Sequence, residues 1–389
     1  MKEKFLFTAK IKVPLILLMG AGLITLIAGG VSFGIGKHFW ANILLNNYYF
    51  MAMSLGAVFF IAVHNIGESG WQTSIQRIPE AMGTFLTFSA GLFLIMFIFG
   101  SHELYHWTHK DELDPVLQGK TAFLNLPFFY FRYVVYFAGW ILLSYFIRKY
   151  SLLMDLNYDP DYFKKIRTFS AIFVVFFALT TSTSSWDWLM SIDAHWFSTL
   201  FGWYIFSGLL VSSVAMLIII LLILKAAGYM EHVNKEHLHD LGKYLFAFSI
   251  LWTYLWFSQY LLIWYGNLPE ETTYFVQRLR DYRILFFVNL IVNFGLPFLV
   301  LMTRNSKRIP WILGIAAIIV FIGHWIDYYL VIMPGTTGNI VKIGFFEIGL
   351  TLGYLGLFLY IVLSFLTKAN LSPENHPFFK ESMEYHTNY

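Results

Sequence analysis

The chain has 389 residues, of which 58% are hydrophobic and only 13% are charged, and its formal net charge is +3. A soluble globular domain carries about 25% charged residues, so this composition excludes an ordinary soluble protein. Long apolar runs recur along the whole sequence and leave no room between them for a large soluble domain. The sequence therefore predicts an all-α integral membrane protein with one polytopic domain over residues 1–389.

Ten apolar segments are long enough to span a membrane, for which a helix needs about 20 residues. They lie at 13–33, 48–67, 82–100, 126–147, 168–187, 200–224, 244–265, 283–303, 310–330 and 343–366. The first follows a basic start and lacks an A-x-A cleavage site, so we expect an uncleaved first helix rather than a signal peptide. Internal helix breakers are few, and Pro297 in the eighth segment is the main one.

Lys and Arg concentrate in alternate loops, and cytoplasmic loops are the ones that carry such an excess. If the N-terminus is cytoplasmic, eighteen of the 26 Lys and Arg residues lie in cytoplasmic segments and seven lie on the outer side. The remaining one, Arg132, lies within the fourth helix. The outside residues are Lys37, Lys110, Lys120, Arg278, Arg280, Arg283 and Lys342. Three of these form RLRDYR, which could bind an acidic protein, a lipid headgroup or a quinone headgroup, or be a solvated loop. Both termini are expected in the cytoplasm, with 367–389 as a short tail.

Ionisable groups within the spans are the first candidates for function, because each costs about 2.5–3.5 kcal/mol to insert near the bilayer centre. In AVHNIGESGWQ, at the inner end of the second helix, His64 and Glu68 are four residues apart. This spacing predicts a shared helix face on which the two could exchange a proton. An ordinary interfacial pair explains them equally well.

The stretch SWDWLMSIDAHWFSTLFGWY closes the fifth helix, turns at the outer face and opens the sixth. Its Trp and Tyr residues suit a membrane interface, which leaves the acids unexplained. Asp187 follows TTSTSS, whose hydroxyls can bond back to carbonyls one turn earlier or line a hydrated path. Asp193 and His195 lie near the outer surface, where solvation is a sufficient explanation.

The seventh helix, LWTYLWFSQYLLIWYG, places Trp252, Trp256 and Gln259 on one face with Tyr260 beside them. An unpaired amide is costly in lipid, so Gln259 needs a partner. An aromatic wall with one amide would suit a quinone ring. Aromatic packing between helices is the alternative.

The ninth and tenth helices each carry an acid. In GHWIDYY, His324 and Asp327 lie one turn apart, an arrangement that can set the tautomer and charge of a histidine as in a proton relay. Glu347 lies one turn into the tenth helix and is a further candidate for a proton pathway. The same helix carries small residues that predict close contact with another helix: Gly349, Gly353 and Gly356.

Cysteine is absent, which excludes thiolate-held iron–sulfur clusters, covalently attached c-type haem and disulfides within this chain. His64 and His324 are the clear histidines within spans, and they lie toward opposite faces, so no membrane haem is expected. The sequence has neither a P-loop nor an H-E-x-x-H zinc helix. We expect no metal site and no covalently bound cofactor here, and the basic residues, lying in loops, give no indication of nucleic-acid binding.

Two stretches, SSWDWLMSIDAHWFSTLFGWY and FSQYLLIWYGNLPEET, resemble the ten-helix membrane subunit of bacterial alternative complex III, called ActF or quinone-binding subunit 2. That subunit belongs to the NrfD/PsrC-like (polysulfide-reductase) membrane-subunit family, and the resemblance covers about helices two to ten. It implies two four-helix bundles with flanking helices in the bacterial inner membrane. On this sequence the two motifs place the polar candidates at Asp187, Asp193, His195, Gln259 and Tyr265.

The resemblance also implies partners: a sister NrfD-like subunit, multihaem cytochrome c subunits, an iron–sulfur protein, lipids and, in some complexes, a terminal oxidase. Haem c and iron–sulfur clusters would lie in those partners, and quinol or menaquinol would be oxidised in the sister subunit. The present subunit would then supply polar half-channels for protons.

We therefore expect a subunit of a quinol:cytochrome c or quinol:oxidase oxidoreductase that is not catalytic alone. One proton half-path would enter near His64 and Glu68, and the other would leave near Asp187, His324 and Asp327. The alternatives are a direct quinol-binding subunit, a secondary transporter and a structural anchor.

Overall fold

The computed structural model describes residues 4–109, 114–157 and 159–386, and apart from an isolated bridge between Lys4 and Asn370 its regular structure is helical. Within these residues, ten helical segments are long and apolar enough to cross a membrane, which confirms the predicted number of spans. Lys2, Lys110 and residues 387–389, which contributed to the predicted orientation and tail, lie outside the described residues.

The helices are α1 (Ala9–Phe33), α2 (Lys37–Ile66), α3 (Arg77–Gly83), α4 (Phe85–Leu104), α5 (Pro115–Lys120), α6 (Leu126–Leu156), α7 (Pro160–Trp188), α8 (Phe201–Ala226), α9 (Lys235–Gly266), α10 (Pro269–Asp281), α11 (Arg283–Leu290), α12 (Leu296–Leu301), α13 (Arg304–Arg308), α14 (Pro310–Thr337), α15 (Phe345–Leu366) and α16 (Phe379–Met383). The third span joins α3 to α4, and the eighth joins α11 to α12. Several spans begin before their apolar runs because polar residues cap them. Asn125, Asp159 and Asn234 accept backbone N–H groups at the starts of α6, α7 and α9.

Helices α2 and α8 form the centre of the molecule. In the most apolar 18-residue stretch of each helix, 83% of the residues are buried inside the protein, whereas in α1 the share is 11%. Helix α2 packs on α4, α7 and α8, while α8 packs on α9 and α14, and α6 packs on α7. The central position of α2 and α8 means that polar residues on them are shielded from lipid by other helices.

Helices α1 and α15 pack closely along a stripe of small residues. A Cβ placed on Gly353 would lie 2.6 Å from the Cα of Gly22, so only two glycines allow this approach. Thr25 and Leu18 face Gly349 and Gly356 in the same way. The close helix contact predicted from these three glycines is confirmed.

The eighth span contains a π-helical turn in its middle. Residues Ile291–Gly295 form a π-helical turn between α11 and α12, just before Pro297. The turn directs the buried Asn293 side chain toward α14, where a Cβ at Gly323 would collide with its amide oxygen. Such wide turns occur often at functional sites.

Residues 370–386 fold back onto the end of the molecule that also holds Lys4, here called the termini end. Ser382 Oγ donates to the Trp71 carbonyl at 2.6 Å, and Asn234 Nδ2 donates to the Tyr385 carbonyl at 2.8 Å. The predicted tail is therefore part of the fold, because it contacts both the connection after α2 and the connection after α8.

Candidate functional site

Asp327 is the centre of a buried hydrogen-bond cluster between α8, α9, α11 and α14. Its carboxylate accepts from the Tyr204 hydroxyl, from Trp252 Nε1 at 3.0 Å and from Asn289 Nδ2 at 2.8 Å. Asn293 donates to Asn289 at 2.6 Å. Three neutral donors thus take the place of water around an acid that is 2% exposed.

His324 lies beside this cluster near the middle of α14. Its Nδ1 is 3.9 Å from Asp327 Oδ2, and its ring meets the edge of the Trp252 ring with the centroids 5.3 Å apart. The structure brings the predicted pair together, but the distance is too long for a direct hydrogen bond. Within the described residues, neither ring nitrogen of His324 has a hydrogen-bond partner, and neither does the Tyr328 hydroxyl. Buried polar atoms of this kind usually bond to ordered water.

A small cavity lies between the Asp327 cluster and the end opposite the termini. Its volume is about 20 Å³, which is room for one water molecule. Pockets for cofactor-sized ligands measure roughly 300–1,000 Å³, so a quinone ring does not fit. The residues that line it include Tyr204, Trp256, Gln259, Tyr274, Arg278, Phe286 and Asn289.

The predicted aromatic wall of α9 therefore surrounds space for water. Trp252 bonds to Asp327, and Trp256 and Gln259 line the cavity. Tyr260 packs on Phe275 with ring centroids 5.3 Å apart. Tyr265 is 83% exposed and lies away from the cavity, so the structure does not unite it with the other wall residues.

Tyr274 and Arg278 of α10 separate the cavity from the protein surface at the end opposite the termini. Arg278 is buried and donates to the backbone carbonyls of Tyr274 and Leu330, each at 2.9 Å, while its Nη2 lies 3.8 Å from Asp193 Oδ2. Tyr274 also borders a surface pocket of about 200 Å³ that contains Asp193 and His195. Burial raises the pKa of Tyr274 to about 12, so this hydroxyl keeps its proton at neutral pH.

The groups at the surface differ in exposure. Burial raises the pKa of Asp193 above its ordinary value, although Arg278 acts in the opposite direction. His195 Nε2 donates to Asp114 Oδ2 at 2.6 Å, and both side chains are about half exposed. The expectation that RLRDYR forms one outer basic cluster is wrong for Arg278, which points into the protein.

Asp187 belongs to a different cluster, between α6 and α7. Arg132 Nε and Nη2 donate to its two carboxylate oxygens at 2.7 Å and 2.6 Å, and the Tyr136 hydroxyl donates at 2.9 Å. The guanidinium also lies over the Phe123 ring at 3.9 Å. Asp187 is thus the counterion of an arginine, and the structure does not bring it together with His324 and Asp327 as the predicted outer half-path required.

Five of the six hydroxyls in the run before Asp187 donate to carbonyls of their own helix. Thr180 and Thr181 donate to the carbonyls of Phe176 and Phe177, each at 2.7 Å. Ser184 and Ser185 bond to carbonyls three residues earlier. Of the two interpretations of TTSTSS, back-bonding is the one the structure favours.

At the termini end, His64 has a different partner from the predicted one. Its Nδ1 donates to the Phe60 carbonyl at 2.7 Å, and its Nε2 lies 3.1 Å from the Tyr244 hydroxyl. Helix α2 ends at Ile66, and Glu68 follows with a φ of 50°, 46% exposed and paired with Arg167. The prediction that His64 and Glu68 share a helix face is therefore wrong.

Glu347 forms a third acidic cluster, between α2 and α15. His38 Nε2 lies 2.8 Å from its Oε1, Asn42 donates to the same oxygen at 3.2 Å, and the Gly344 N–H donates to Oε2 at 2.8 Å. This arrangement caps α15 at the end opposite the termini. Glu347 is apart from the Asp327 cluster.

Sequence reasoning missed Arg132, His38, Tyr204 and Asn289 as partners of the acids and Tyr244 as the partner of His64. Arg132 had a usable signal, because an arginine inside a span requires an acid at the same depth. In the described part of the chain, no three His, Asp or Glu side chains converge as a metal site. No family model and no curated protein matches this chain.

Proposed function

We propose that this chain is the ActF-type membrane subunit of a quinol-oxidising respiratory complex, in which it conducts protons through two polar half-paths. The buried Asp327 cluster carries this proposal. An acid held by neutral donors, with room for a water next to it and a histidine beside it whose ring nitrogens have no hydrogen-bond partner in the described residues, is an arrangement suited to passing protons.

One half-path runs from Asp327 toward the end opposite the termini. It follows Tyr204 and Asn289 to the water-sized cavity, then Tyr274, and reaches the surface pocket at Asp193. Each step joins groups that line the same cavity or share a hydrogen bond. The buried Arg278 also lines this cavity, and its guanidinium lies 3.8 Å from the Asp193 carboxylate.

The other half-path begins at the termini end with His64 and Tyr244. Tyr244 and Trp252 are eight residues apart on α9, a rise of about 12 Å. The Ser249 hydroxyl lies between them, buried and without a partner in the described chain. The two half-paths thus approach each other along α9. Asp187 and Glu68 stay outside both, because Arg132 and Arg167 hold them.

The packing pattern supports the finer architecture of the proposal. Helices α2, α4, α6 and α7 form one set of neighbours, and α8, α9, α11–α12 and α14 form another, with the α1–α15 pair at the side. In the proposal, these sets are the two four-helix bundles, and the remaining helices flank them. The excess of basic residues at the termini end supports a cytoplasmic location for that end in the bacterial inner membrane.

The proposal assigns the redox chemistry to the partners: haem c, iron–sulfur clusters and quinol oxidation belong to the cytochrome, iron–sulfur and sister NrfD-like subunits. Direct quinol binding along α9 is disfavoured by the size of the cavity. A secondary transporter is the second candidate, because the π-helical turn at Ile291–Gly295 distorts a span beside a buried acid, and transporters often have irregular helices at their binding sites.

The first experiment is purification of the tagged chain in mild detergent, with mass spectrometry of the co-purified proteins and an optical spectrum. Haem c bands together with an iron–sulfur protein and a second membrane subunit are expected. A solitary, colourless protein would refute the respiratory assignment and leave transport as the better explanation.

The second experiment measures the proton-to-electron ratio of the complex in proteoliposomes. Asp327→Asn is expected to lower this ratio, and Trp252→Phe, which keeps the charge and removes one donor, is expected to lower it less. Glu68→Gln is the control, because it removes an acid that lies outside both half-paths. A wild-type ratio in Asp327→Asn, in a complex that retains all subunits, would refute the proton role of the cluster.

A further inference from the structure

A groove of about 680 Å³ opens on the outside of the molecule near the termini end. Its walls come from α3, α4, α6 and the end of α15. Most of the surface is apolar: Phe88, Leu142 and Leu156 are exposed, and Ile141 and Leu152 are half-buried. None of these residues takes part in the proposed proton half-paths.

Three cations lie together in this groove: Arg148, Lys149 and Lys368. Lys368 Nζ lies 3.7 Å from the centre of the Phe365 ring, and the Arg148 guanidinium lies 5.6 Å from the same ring. Arg148 Nη2 donates to the Phe365 carbonyl at 2.8 Å. The phenylalanine thus gathers two of the cations at the point where α15 ends.

The protein neutralises these cations only in part, because the charge of Glu80 acts on Arg148 from beyond ion-pair distance. In the described chain, no carboxylate lies within ion-pair distance of any of the three, and Arg148 Nη1 is a buried donor without a partner. Glu80 on the groove wall is engaged elsewhere, because Arg77 donates to it at 2.6 Å and Ser151 at 2.5 Å. Three cations therefore lie beside a single carboxylate that is already bonded, together with a guanidinium N–H that has no partner in the described chain.

We propose that this groove binds an anionic phospholipid. The phosphate would pair with Lys149, Lys368 and the Arg148 guanidinium, whose buried Nη1 would turn into the groove to donate, and an acyl chain would lie along Ile141 and Leu142. A quinol has a neutral headgroup and would leave the three positive charges uncompensated. A zwitterionic lipid has no net charge and would leave most of this positive charge uncompensated. The proposal does not depend on the proposed function.

The test uses the whole protein with its native partners, in zwitterionic detergent micelles. Thermal unfolding is measured while cardiolipin or, separately, phosphatidylcholine is added, and native mass spectrometry identifies bound lipid. Cardiolipin is expected to raise the unfolding temperature of the wild type, and phosphatidylcholine is not. In Arg148→Gln/Lys368→Gln, cardiolipin binding is expected to weaken about 30-fold, from roughly fivefold per cation.

The control variant is Lys10→Gln/Lys12→Gln, which removes the same charge at the same end but outside the groove. It should respond to cardiolipin as the wild type does. If the double substitution in the groove disrupts folding, Leu142→Trp tests the acyl-chain position without changing charge and should also weaken binding.

Three results would overturn the proposal. Equal weakening in the groove and control variants would indicate general electrostatic attraction. Equal stabilisation by phosphatidylcholine would show that the cations are irrelevant. Occupation of the groove by a protein partner, detected as cross-links from Lys149 or Lys368 to another subunit, would show that the groove is a subunit interface.

Discussion

The buried pair of Asp187 and Arg132 makes a sharp prediction about stability. Asp187→Asn keeps the shape of the side chain and removes its charge, so the guanidinium of Arg132 stays in place without a counterion. Among the described residues, it keeps the Phe123 carbonyl at 3.1 Å and the rings of Phe123 and Phe128 at 3.9 Å and 4.2 Å, besides whatever bond the new amide provides. The variant therefore isolates the cost of an uncompensated buried cation.

Breaking a buried ion pair by removing one partner costs about 3–5 kcal/mol. This corresponds to roughly two to four powers of ten in the unfolding equilibrium constant. Replacing both partners, in Asp187→Asn/Arg132→Gln, removes the isolated charge and should recover a large part of the loss. The double variant is therefore expected to be more stable than the single one.

The measurement is unfolding in mixed micelles with increasing denaturing detergent, followed by tryptophan fluorescence. Asp161→Asn on the same helix is the matched control, because its partner Lys164 is exposed and such surface pairs contribute at most about 1 kcal/mol. An Asp187→Asn protein no less stable than Asp161→Asn would refute the reasoning. So would a double variant that is less stable than Asp187→Asn.

Three further predictions concern packing and pH. Gly353→Val should separate α1 from α15 and lower the unfolding temperature, whereas Gly20→Val, which meets open space, should not. Gly323→Ala should displace Asn293 and lower the free energy of unfolding by about 1–3 kcal/mol. Burial lowers the pKa of His376 from 6.5 to about 3, so the undocked tail takes up a proton first and docking weakens as the pH falls below about 6.5. Tryptic cleavage of the tail, normalised to the free peptide, should thus be faster at pH 5 than at pH 7.5, and His376→Phe should abolish the difference.

The spans and the α1–α15 contact could be predicted from sequence because local physics determines them. A lipid-exposed backbone has to form helices, so hydropathy alone finds the segments. Small residues at four-residue spacing, as at Gly349 and Gly353, indicate one close-packed face whatever the partner helix is.

The polar partners could not be predicted in the same way, because they come from distant parts of the chain. The spacing of His64 and Glu68 predicts a pair only if the helix continues, and it ends before Gly67. Asp187 and its partner are 55 residues apart, so no local pattern joins them. A comparison of the depth of each ionisable residue in the membrane would have identified that pair, because Arg132 and Asp187 both lie near the same end of adjacent antiparallel helices.

The wide turn at Ile291–Gly295 has a consequence for how the eighth span can vary. An α-helix advances by about 100° per residue, so the additional residue held in this turn rotates α11 relative to α12 by that angle. Asn289 faces Asp327 because of this rotation. Deleting one residue here would restore a regular α-helix and turn Asn289 toward a different neighbour, although the remaining side chains of the span would be the same. The segment should therefore tolerate substitutions better than changes in length.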